Sequence, residues 1–212
     1  MSGAPELARY LAGRGIRDRR VLAAMAAVPR DRFVPEDLQK AAYADRALPI
    51  GHDQTISQPF MVAAMLEALE LDGGRALEVG TGSGYQAALL AELADEVVTI
   101  ERVPELAEQA RDTLEETGYG GVDVVVGDGT LGVPEQAPFD AIAVAAAAPA
   151  VPEALYEQLA PGGRLVVPVG TVRDQWLEVV ERGPDGPIRH RTVPCRFVPL
   201  LGSAGFAEPR RG

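Results

Sequence analysis

The chain has 212 residues, of which 47% are hydrophobic and 24% are charged, a composition typical of a globular domain and unlike that of a disordered chain. Its 31 acidic and 20 basic residues give a net charge of -11, which disfavours binding to nucleic acid or to anionic membranes. Cys195 is the single cysteine and the two histidines, His52 and His190, stand far apart, so we expect neither an intramolecular disulfide nor a metal site.

The first third of the chain predicts helices and a covering loop. No apolar signal segment follows Met1, and no apolar run reaches the ~20 residues that cross a bilayer, so we expect a soluble, cytoplasmic protein. We also expect a monomer. Apolar positions at helical spacing predict two short helices between residues 5 and 28, separated by Gly13-Arg14-Gly15. Residues 30–54 contain several Pro and Gly residues and are expected to form a loop-rich cover.

Strands and helices alternate from about residue 75 onward. Short, largely apolar runs predict strands that are buried on both faces, with helical patterns between them. After a helix expected at 59–71, the predicted strands are 76–79, 97–100, 122–126, 141–144 and 165–167, and the predicted helices are 85–93, 106–116 and 153–159. This order is typical of a doubly wound, mostly parallel α/β sheet with helices on both faces, the Rossmann-like class.

The tail predicts two further strands, 176–180 and 188–193, joined by a turn at 183–186. These strands are expected to close the sheet as an antiparallel edge. We therefore expect a single domain over residues 1–212. Within it, residues 1–72 form a helical and loop cover, residues 73–170 form a cofactor-binding α/β core, and residues 171–212 form the C-terminal strands and tail.

A glycine-rich loop follows the first strand of the alternating region. The string Glu78-Val79-Gly80-Thr81-Gly82-Ser83-Gly84 opens the next predicted helix, so its glycines allow a ligand to approach the backbone beside a helix N-terminus. The spacing is G-x-G-x-G, and Tyr85 stands where a dinucleotide fingerprint has its third glycine. That mismatch disfavours an NAD-dependent oxidoreductase, whereas a tight turn without a ligand stays open for this loop taken alone.

Two acidic residues follow the next two predicted strands. Glu101 lies 21 residues after Gly80, where a carboxylate can accept hydrogen bonds from both ribose hydroxyls. Asp128, within Gly127-Asp128-Gly129, can accept a hydrogen bond from an exocyclic adenine amine. Ligands of open α/β sheets bind at the carboxyl ends of the strands. The three elements together predict a nucleoside site, although each acid alone could be a solvated strand end or a turn residue.

Several longer strings match the pattern of one known family. The most specific is Gln54-Thr55-Ile56-Ser57-Gln58-Pro59, and the others are 28–30, 33–35, 47–51, 78–87, 100–102, 127–129, 138–142, 162–170 and 197–200. Through these strings the chain resembles the protein-L-isoaspartate (D-aspartate) O-methyltransferases from about residue 16 to residue 206. The resemblance implies methyl transfer from S-adenosylmethionine to the free carboxylate of L-isoaspartyl, and of D-aspartyl, residues in damaged proteins and peptides, which starts repair through a succinimide.

The resemblance also implies roles for individual residues. Ser57 is implied as the catalytic residue, on a loop from Gly51 to Pro59 that covers the cofactor. The residues implied at the S-adenosylmethionine site are Thr55, Ile56, Ser57, Glu78, Gly80, Thr81, Gly82, Ser83, Gly84, Gln86, Glu101, Arg102, Asp128 and Gly129. The residues implied at the peptide site are Ser57, Gln58, Pro59, Ala145, Ala146, Pro149 and Val198.

Two positions depart from the family pattern, and other interpretations of the chain also stay open. Ala145 stands where the family commonly has Thr, and Phe60 stands where it commonly has Tyr. One alternative is a peptide-specific aspartate O-methyltransferase that forms an aspartimide in a ribosomal peptide pathway. An alternative of another class is a non-catalytic nucleoside-binding regulator. Ser57 itself could be the N-cap of the helix expected near Pro59, instead of an active-site residue.

Overall fold

The N-terminal cover consists of helices and a small hairpin in the computed structural model, which describes residues 1, 3–171 and 173–207. The last residues of the predicted tail, 208–212, lie outside the described residues. Helices α1 (Ala4–Gly13) and α2 (Arg19–Ala27) are the two that the apolar spacing predicts, and α3 spans Pro59–Leu69. Asp18 caps α2, because its side chain accepts a hydrogen bond from the backbone N–H of Arg20 at 2.8 Å.

Part of the segment expected to be loop is a hairpin. Strands β1 (Leu48–Gly51) and β2 (Gln54–Ile56) pair antiparallel. His52 and Asp53 make the turn with φ values of 50° and 57°, the left-handed region that suits tight hairpin turns. The strands have four and three residues, too few for an alternating pattern to be recognised. The hairpin leads directly into Ser57 and α3.

The main sheet carries the core of the protein. Its parallel strands are β3 (Arg75–Val79), β4 (Glu96–Glu101), β5 (Asp123–Val126), β6 (Phe139–Val144) and β7 (Leu159–Gly170). Strands β8 (Gln175–Gly183) and β9 (Gly186–Cys195) complete it antiparallel. Within the described ranges the sheet has seven strands in the order β5-β4-β3-β6-β7-β8-β9. The predicted fold class is confirmed, including the antiparallel C-terminal edge.

Both faces of the sheet are covered. Successive residues of β3 point to opposite faces, so that Ala76 belongs to the hydrophobic cluster that includes the N-terminal helices, and Leu77 belongs to the cluster on the other side that includes Leu155. Helices α4 (Tyr85–Ala91), α5 (Pro104–Glu116) and α6 (Glu153–Glu157) connect the parallel strands. No helix in the described part of the chain is long and apolar enough to span a membrane.

Strand β7 begins six residues earlier than expected, at Leu159. The predicted helix correspondingly ends at Glu157. The sequence does not predict a strand over these residues, because Pro161, Gly162 and Gly163 disfavour strand structure. Gly163 tolerates the close pairing: a Cβ atom there would lie 2.9 Å from the carbonyl oxygen of Ala160 and 3.0 Å from that of Asp140. The pairing with β6 is irregular at this point, as expected for a bulge.

The strand order places a crevice above the centre of the sheet. From β3 the chain proceeds outward through β4 to β5, and it then returns to β6 on the other side of β3. The connections therefore leave the carboxyl ends of β3 and β6 in opposite directions, which opens a crevice between them.

Candidate functional site

A cleft lies at the carboxyl ends of β3, β4, β5 and β6. The glycine loop after β3, the strand end at Glu101 and the hairpin residues before Ser57 form three of its walls. The fourth wall is the segment after β9. The residues that line the cleft are Gln54, Thr55, Ile56, Ser57, Val62, Glu78, Val79, Gly80, Thr81, Gly82, Ser83, Tyr85, Gln86, Ile100, Glu101, Arg102, Gly129, Ala145, Ala146, Val198, Pro199, Leu200 and Leu201.

The glycine loop brings the backbone to the floor of this cleft. Gly82 has a φ of 54° and lies so close to the hairpin that a Cβ atom would be 3.3 Å from Ile50. Gly84 is the N-cap of α4 with a φ of 86°, and a Cβ atom there would be 3.2 Å from Leu114. Both positions therefore favour glycine. Gly84 packs against α5 and does not line the cleft, whereas Gly82 does.

Glu101 fixes the loop and still faces the cleft. Its side chain is 5% exposed and accepts hydrogen bonds from the backbone N–H groups of Gly82 at 2.9 Å and Val103 at 3.0 Å. A carboxylate has about four acceptor sites, so two remain for a ligand. The paired hydroxyls of a ribose match that geometry.

Glu78 is a buried carboxyl group with one unpaired oxygen. Thr99 donates a hydrogen bond to its Oε2 at 2.6 Å, whereas Oε1 has no partner in the protein. Burial, and secondarily the charge of Glu101, raise the pKa of Glu78 to about 8, against the opposing effect of the Thr99 hydrogen bond. The amide Nε2 of Gln86 is also buried and unpaired. The cleft thus offers an acceptor at Glu78 and a donor at Gln86 to a ligand.

Asp128 holds the C-terminal segment in place. Thr130 donates to its Oδ1 from the backbone at 2.9 Å and from the hydroxyl at 2.6 Å. Ser203 donates to Oδ2 from its backbone N–H at 2.8 Å and also from its hydroxyl. Partial burial by itself raises the pKa of Asp128, but the hydrogen bonds from Ser203 and Thr130 outweigh it and lower the pKa to about 2. An adenine amine would compete with Ser203 for this carboxylate.

A second cavity, an open groove, meets the cleft at Ser57. Thr55, Ser57, Ala145 and Val198 line both cavities. The remaining groove residues are Asp45, Arg46, Ala47, Gln58, Met61, Pro194, Cys195, Arg196 and Phe197. A ligand in the cleft and a second ligand in the groove can therefore approach each other beside the Ser57 side chain.

The charges around the groove favour an anionic partner. Arg46 and Arg196 are exposed at its lining. The acidic Asp45 forms an ion pair with Arg14 at 3.0 Å and accepts a hydrogen bond from the backbone N–H of Phe60 at 2.9 Å. The groove is thus locally positive on a chain whose net charge is -11.

The N-cap interpretation of Ser57 is wrong. The residue before α3 is Gln58, and no side chain caps the first turn of this helix. The hydroxyl of Ser57 forms no hydrogen bond with the described residues, and Ser57 is half-buried at the junction of the two cavities. It is placed to donate a hydrogen bond to a ligand.

The structure brings most of the predicted site residues together. Of the cofactor set, all but Gly84 and Asp128 line the cleft. Of the peptide set, Ser57, Gln58, Ala145 and Val198 line the groove and Ala146 lines the cleft. Neither lining includes Pro59 or Pro149. Groups of three or more His, Cys, Asp or Glu side chains that could hold a metal ion do not occur among the described residues.

Pro199, Leu200 and Leu201 form a wall of the cleft that contains none of the predicted site residues. Leu200 donates a hydrogen bond to the carbonyl oxygen of Ala147 at 2.7 Å, and Ala147 donates to Val198 at 2.8 Å. These bonds hold the segment against the end of β6. The string at 197–200 was a signal for this wall, but no periodic pattern indicates where a segment without strand or helix will pack.

The chain is similar to known proteins over most of its length. A family model described as protein-L-isoaspartate(D-aspartate) O-methyltransferase matches residues 3–205. A protein-L-isoaspartate O-methyltransferase of Anaeromyxobacter dehalogenans strain 2CP-1 is 62% identical over 199 residues, which cover 92% of this chain and 95% of the relative. Another, of Aeropyrum pernix, is 54% identical over 202 residues, which cover 92% of this chain and 78% of the relative.

Solved structures share the fold as well. A protein-L-isoaspartate O-methyltransferase is 31% identical with a TM-score of 0.84 over 94% of this chain, which spans 66% of that structure's length. A Plasmodium falciparum protein assigned to the same enzyme class, solved in complex with S-adenosyl-L-homocysteine, is 27% identical with a TM-score of 0.83. That match covers 95% of this chain and 99% of the structure.

Proposed function

Because the chain belongs to the protein-L-isoaspartate(D-aspartate) O-methyltransferase family, we propose that it methylates the free carboxylate of L-isoaspartyl residues in damaged proteins and peptides. The methyl donor is S-adenosylmethionine. The observation that carries the proposal is the junction at Ser57, where the cleft above the glycine loop opens into a positively charged groove. D-Aspartyl residues are proposed as a second substrate class.

The residues of the cleft fit the cofactor. Glu101 has free acceptor sites for the ribose hydroxyls. The unpaired Oε1 of Glu78 and Nε2 of Gln86 suit the ammonium and the carboxylate of the methionine part, respectively. Gly129 lines the end of the cleft beside Ile100 and suits the base. When bound, S-adenosylmethionine supplies an electrophilic methyl group on a sulfonium.

The chain has little proton chemistry to perform. An aspartyl-type carboxyl group with a pKa of about 3.9 is ionised near neutral pH, so no general base is required. Arg46 and Arg196 attract the peptide carboxylate to the groove, and Ser57 donates a hydrogen bond that orients it. The rate comes from alignment of the two partners and from exclusion of water around the anion.

Methyl transfer itself needs only the peptide carboxylate and the methyl donor. A carboxylate oxygen forms a bond to the methyl carbon while the bond from that carbon to sulfur breaks, so an anion and a cation give a neutral ester and a neutral thioether. The following backbone nitrogen of the peptide then attacks the ester and releases methanol. The resulting succinimide takes up water and opens in part to normal aspartate, which is the repair.

Methyl transfer to paired peptides tests this function. Peptides that differ only in L-isoaspartate or L-aspartate are incubated with the protein and labelled S-adenosylmethionine. We expect label in the isoaspartyl peptide and at least ~100-fold less in its partner, because only one geometry aligns the carboxylate. Label in neither peptide, with S-adenosyl-L-homocysteine binding shown by calorimetry, would contradict general repair. The peptide-specific aspartimide-forming enzyme would then be favoured, since Ala145 lines the junction.

Cofactor binding should release a proton from Glu78. Its pKa is about 8, so at pH 7 the carboxyl group is mostly protonated, whereas a carboxylate beside a bound ammonium is charged. Affinity should therefore rise by up to about tenfold per pH unit as the pH approaches 8 and level off above it. Calorimetric titration with S-adenosyl-L-homocysteine at pH 7, in buffers of different ionisation enthalpy, measures the proton. Glu78→Gln should show no release; equal release in both proteins contradicts the assignment.

We also propose that residues 1–212 act as one domain in a cytoplasmic monomer that does not bind nucleic acid. The cleft takes residues from the cover, the core and the segment after β9, which supports one functional unit. The net charge of -11 opposes association with phosphate backbones. Light scattering after size-exclusion chromatography should give the mass of one chain, 22.4 kDa, and a dimer mass would contradict the monomer.

A further inference from the structure

Arg30 is a buried cation next to the proposed active site. It lies at the start of a short 3-10 helix, Arg30–Phe33, and is 0% exposed. Burial lowers the pKa of its guanidinium. Burying a charge is costly unless the group is paired, yet among the described residues no carboxylate forms an ion pair with Arg30. A guanidinium that is buried without a carboxylate partner is therefore expected to have a specific role.

The hydrogen bonds of Arg30 go to backbone carbonyl groups of the cover. Its Nε donates to Ala42 at 2.8 Å, and its Nη2 donates to the carbonyl oxygen of Ser57 at 2.8 Å. The third nitrogen, Nη1, is buried without a partner. Arg30 thus contacts the backbone of the residue whose hydroxyl stands at the junction of cleft and groove.

Arg30 also contacts the helix that follows the glycine loop. Its Cζ lies 4.8 Å from the ring centroid of Tyr85, within the range of a cation–π interaction. Phe33, from the same short helix, meets that ring edge-on at 5.6 Å between centroids. Tyr85 is the first residue of α4, directly after Gly84. The Arg30 side chain therefore links the backbone at Ser57 to Tyr85, the residue that directly follows the glycine loop.

We propose that Arg30 is a positioning residue for methyl transfer. It fixes the backbone at Ser57 relative to the glycine loop and so aligns the peptide carboxylate with the cofactor. The proposal rests on the proposed function. A rigid guanidinium with several donors suits this task, because it can hold two carbonyl groups and stack on a ring at once. A lysine retains the charge and has three donors, but its compact ammonium cannot reproduce the planar arrangement.

The test compares Arg30→Met and Arg30→Lys with the wild type on an isoaspartyl peptide. For Arg30→Met we expect kcat to fall at least tenfold, while the Kd of S-adenosyl-L-homocysteine changes less than threefold, since misalignment affects transfer more than cofactor binding. Arg30→Lys should recover part of kcat. The matched control is Arg164→Met, whose guanidinium bonds Glu70, Glu181 and Ala68 away from both cavities, and its kcat should be unchanged.

Other outcomes overturn the proposal. If Arg30→Met retains wild-type kcat, or if kcat and cofactor affinity fall together by the same factor, Arg30 is a structural residue. If Arg30→Met does not fold, Arg30→Lys decides: a kcat reduced with unchanged Kd supports positioning, and wild-type values for both refute it. A wild-type protein that methylates no isoaspartyl peptide would instead refute the proposed function, so the two failures are distinguishable.

Discussion

Replacing Glu101 by alanine should weaken the binding of S-adenosyl-L-homocysteine at least about 150-fold, the largest effect that we expect from one side chain. Two charge-assisted hydrogen bonds to the ribose are lost, each worth roughly 1.5–3 kcal/mol. The same change leaves the backbone N–H groups of Gly82 and Val103 without their acceptor, which loosens the loop around the cofactor. Isothermal titration calorimetry at fixed pH and salt measures the Kd directly.

The control lies on the same strand. Glu96 begins β4 at the opposite end and is ion-paired with Arg75 near the surface, so Glu96→Ala should leave the Kd unchanged. Glu101→Gln keeps the size of the side chain and one acceptor oxygen, and should bind with intermediate affinity. A Glu101→Ala protein with a wild-type melting temperature and wild-type Kd would refute the ribose contact.

The second large effect is expected from Ser57→Ala. Loss of a hydroxyl that donates to an anionic carboxylate costs roughly 1.5–3 kcal/mol, so kcat/KM for an isoaspartyl peptide should fall about 30-fold. Because Ser57 makes no side-chain hydrogen bond within the described residues, its removal leaves no group of the protein unpaired. Stability and cofactor affinity should therefore stay at wild-type values. Initial rates with labelled S-adenosylmethionine measure the change.

Removal of a distant hydroxyl provides the comparison. Thr192 on β9 donates to the carbonyl oxygen of Leu177 at 3.1 Å, outside both cavities, so Thr192→Val should leave kcat/KM unaltered. If Ser57→Ala methylates the isoaspartyl peptide as fast as the wild type, the carboxylate is oriented by other groups. The backbone around Ala145 and Val198, which also line the junction, would then be examined by peptide competition.

The parallel strands and the position of the glycine loop were predictable from the local pattern of apolar residues and glycines. Buried strands require apolar runs such as those of β3, β4 and β6, and parallel strands bring their carboxyl ends to one edge of the sheet. Glu101 and the glycine loop follow two such strands, so their proximity was implied by the topology. The backbone N–H of Gly82 donates a hydrogen bond to Glu101 at 2.9 Å, as this proximity allows.

Contacts between distant segments were not predictable in this way. Asp128 was predicted to bind adenine, but in the structure its carboxylate accepts hydrogen bonds from Ser203, 75 residues away in the chain. Arg30 lies in the string 28–30 and resembles any surface arginine in the sequence, yet it is fully buried. The choice of a polar partner depends on which segments meet after folding, and a one-dimensional pattern does not contain that information.

By itself the sequence determined the α/β class, the order of the strands along the chain and the residues at their carboxyl ends, because periodic burial and turn chemistry are local properties. Only the tertiary structure decided that β1 and β2 form a hairpin, that Asp128 anchors the segment after β9, and that Arg30 contacts Ser57. These features arise where the cover closes over the sheet, and they depend on the packing of segments that are remote in the chain.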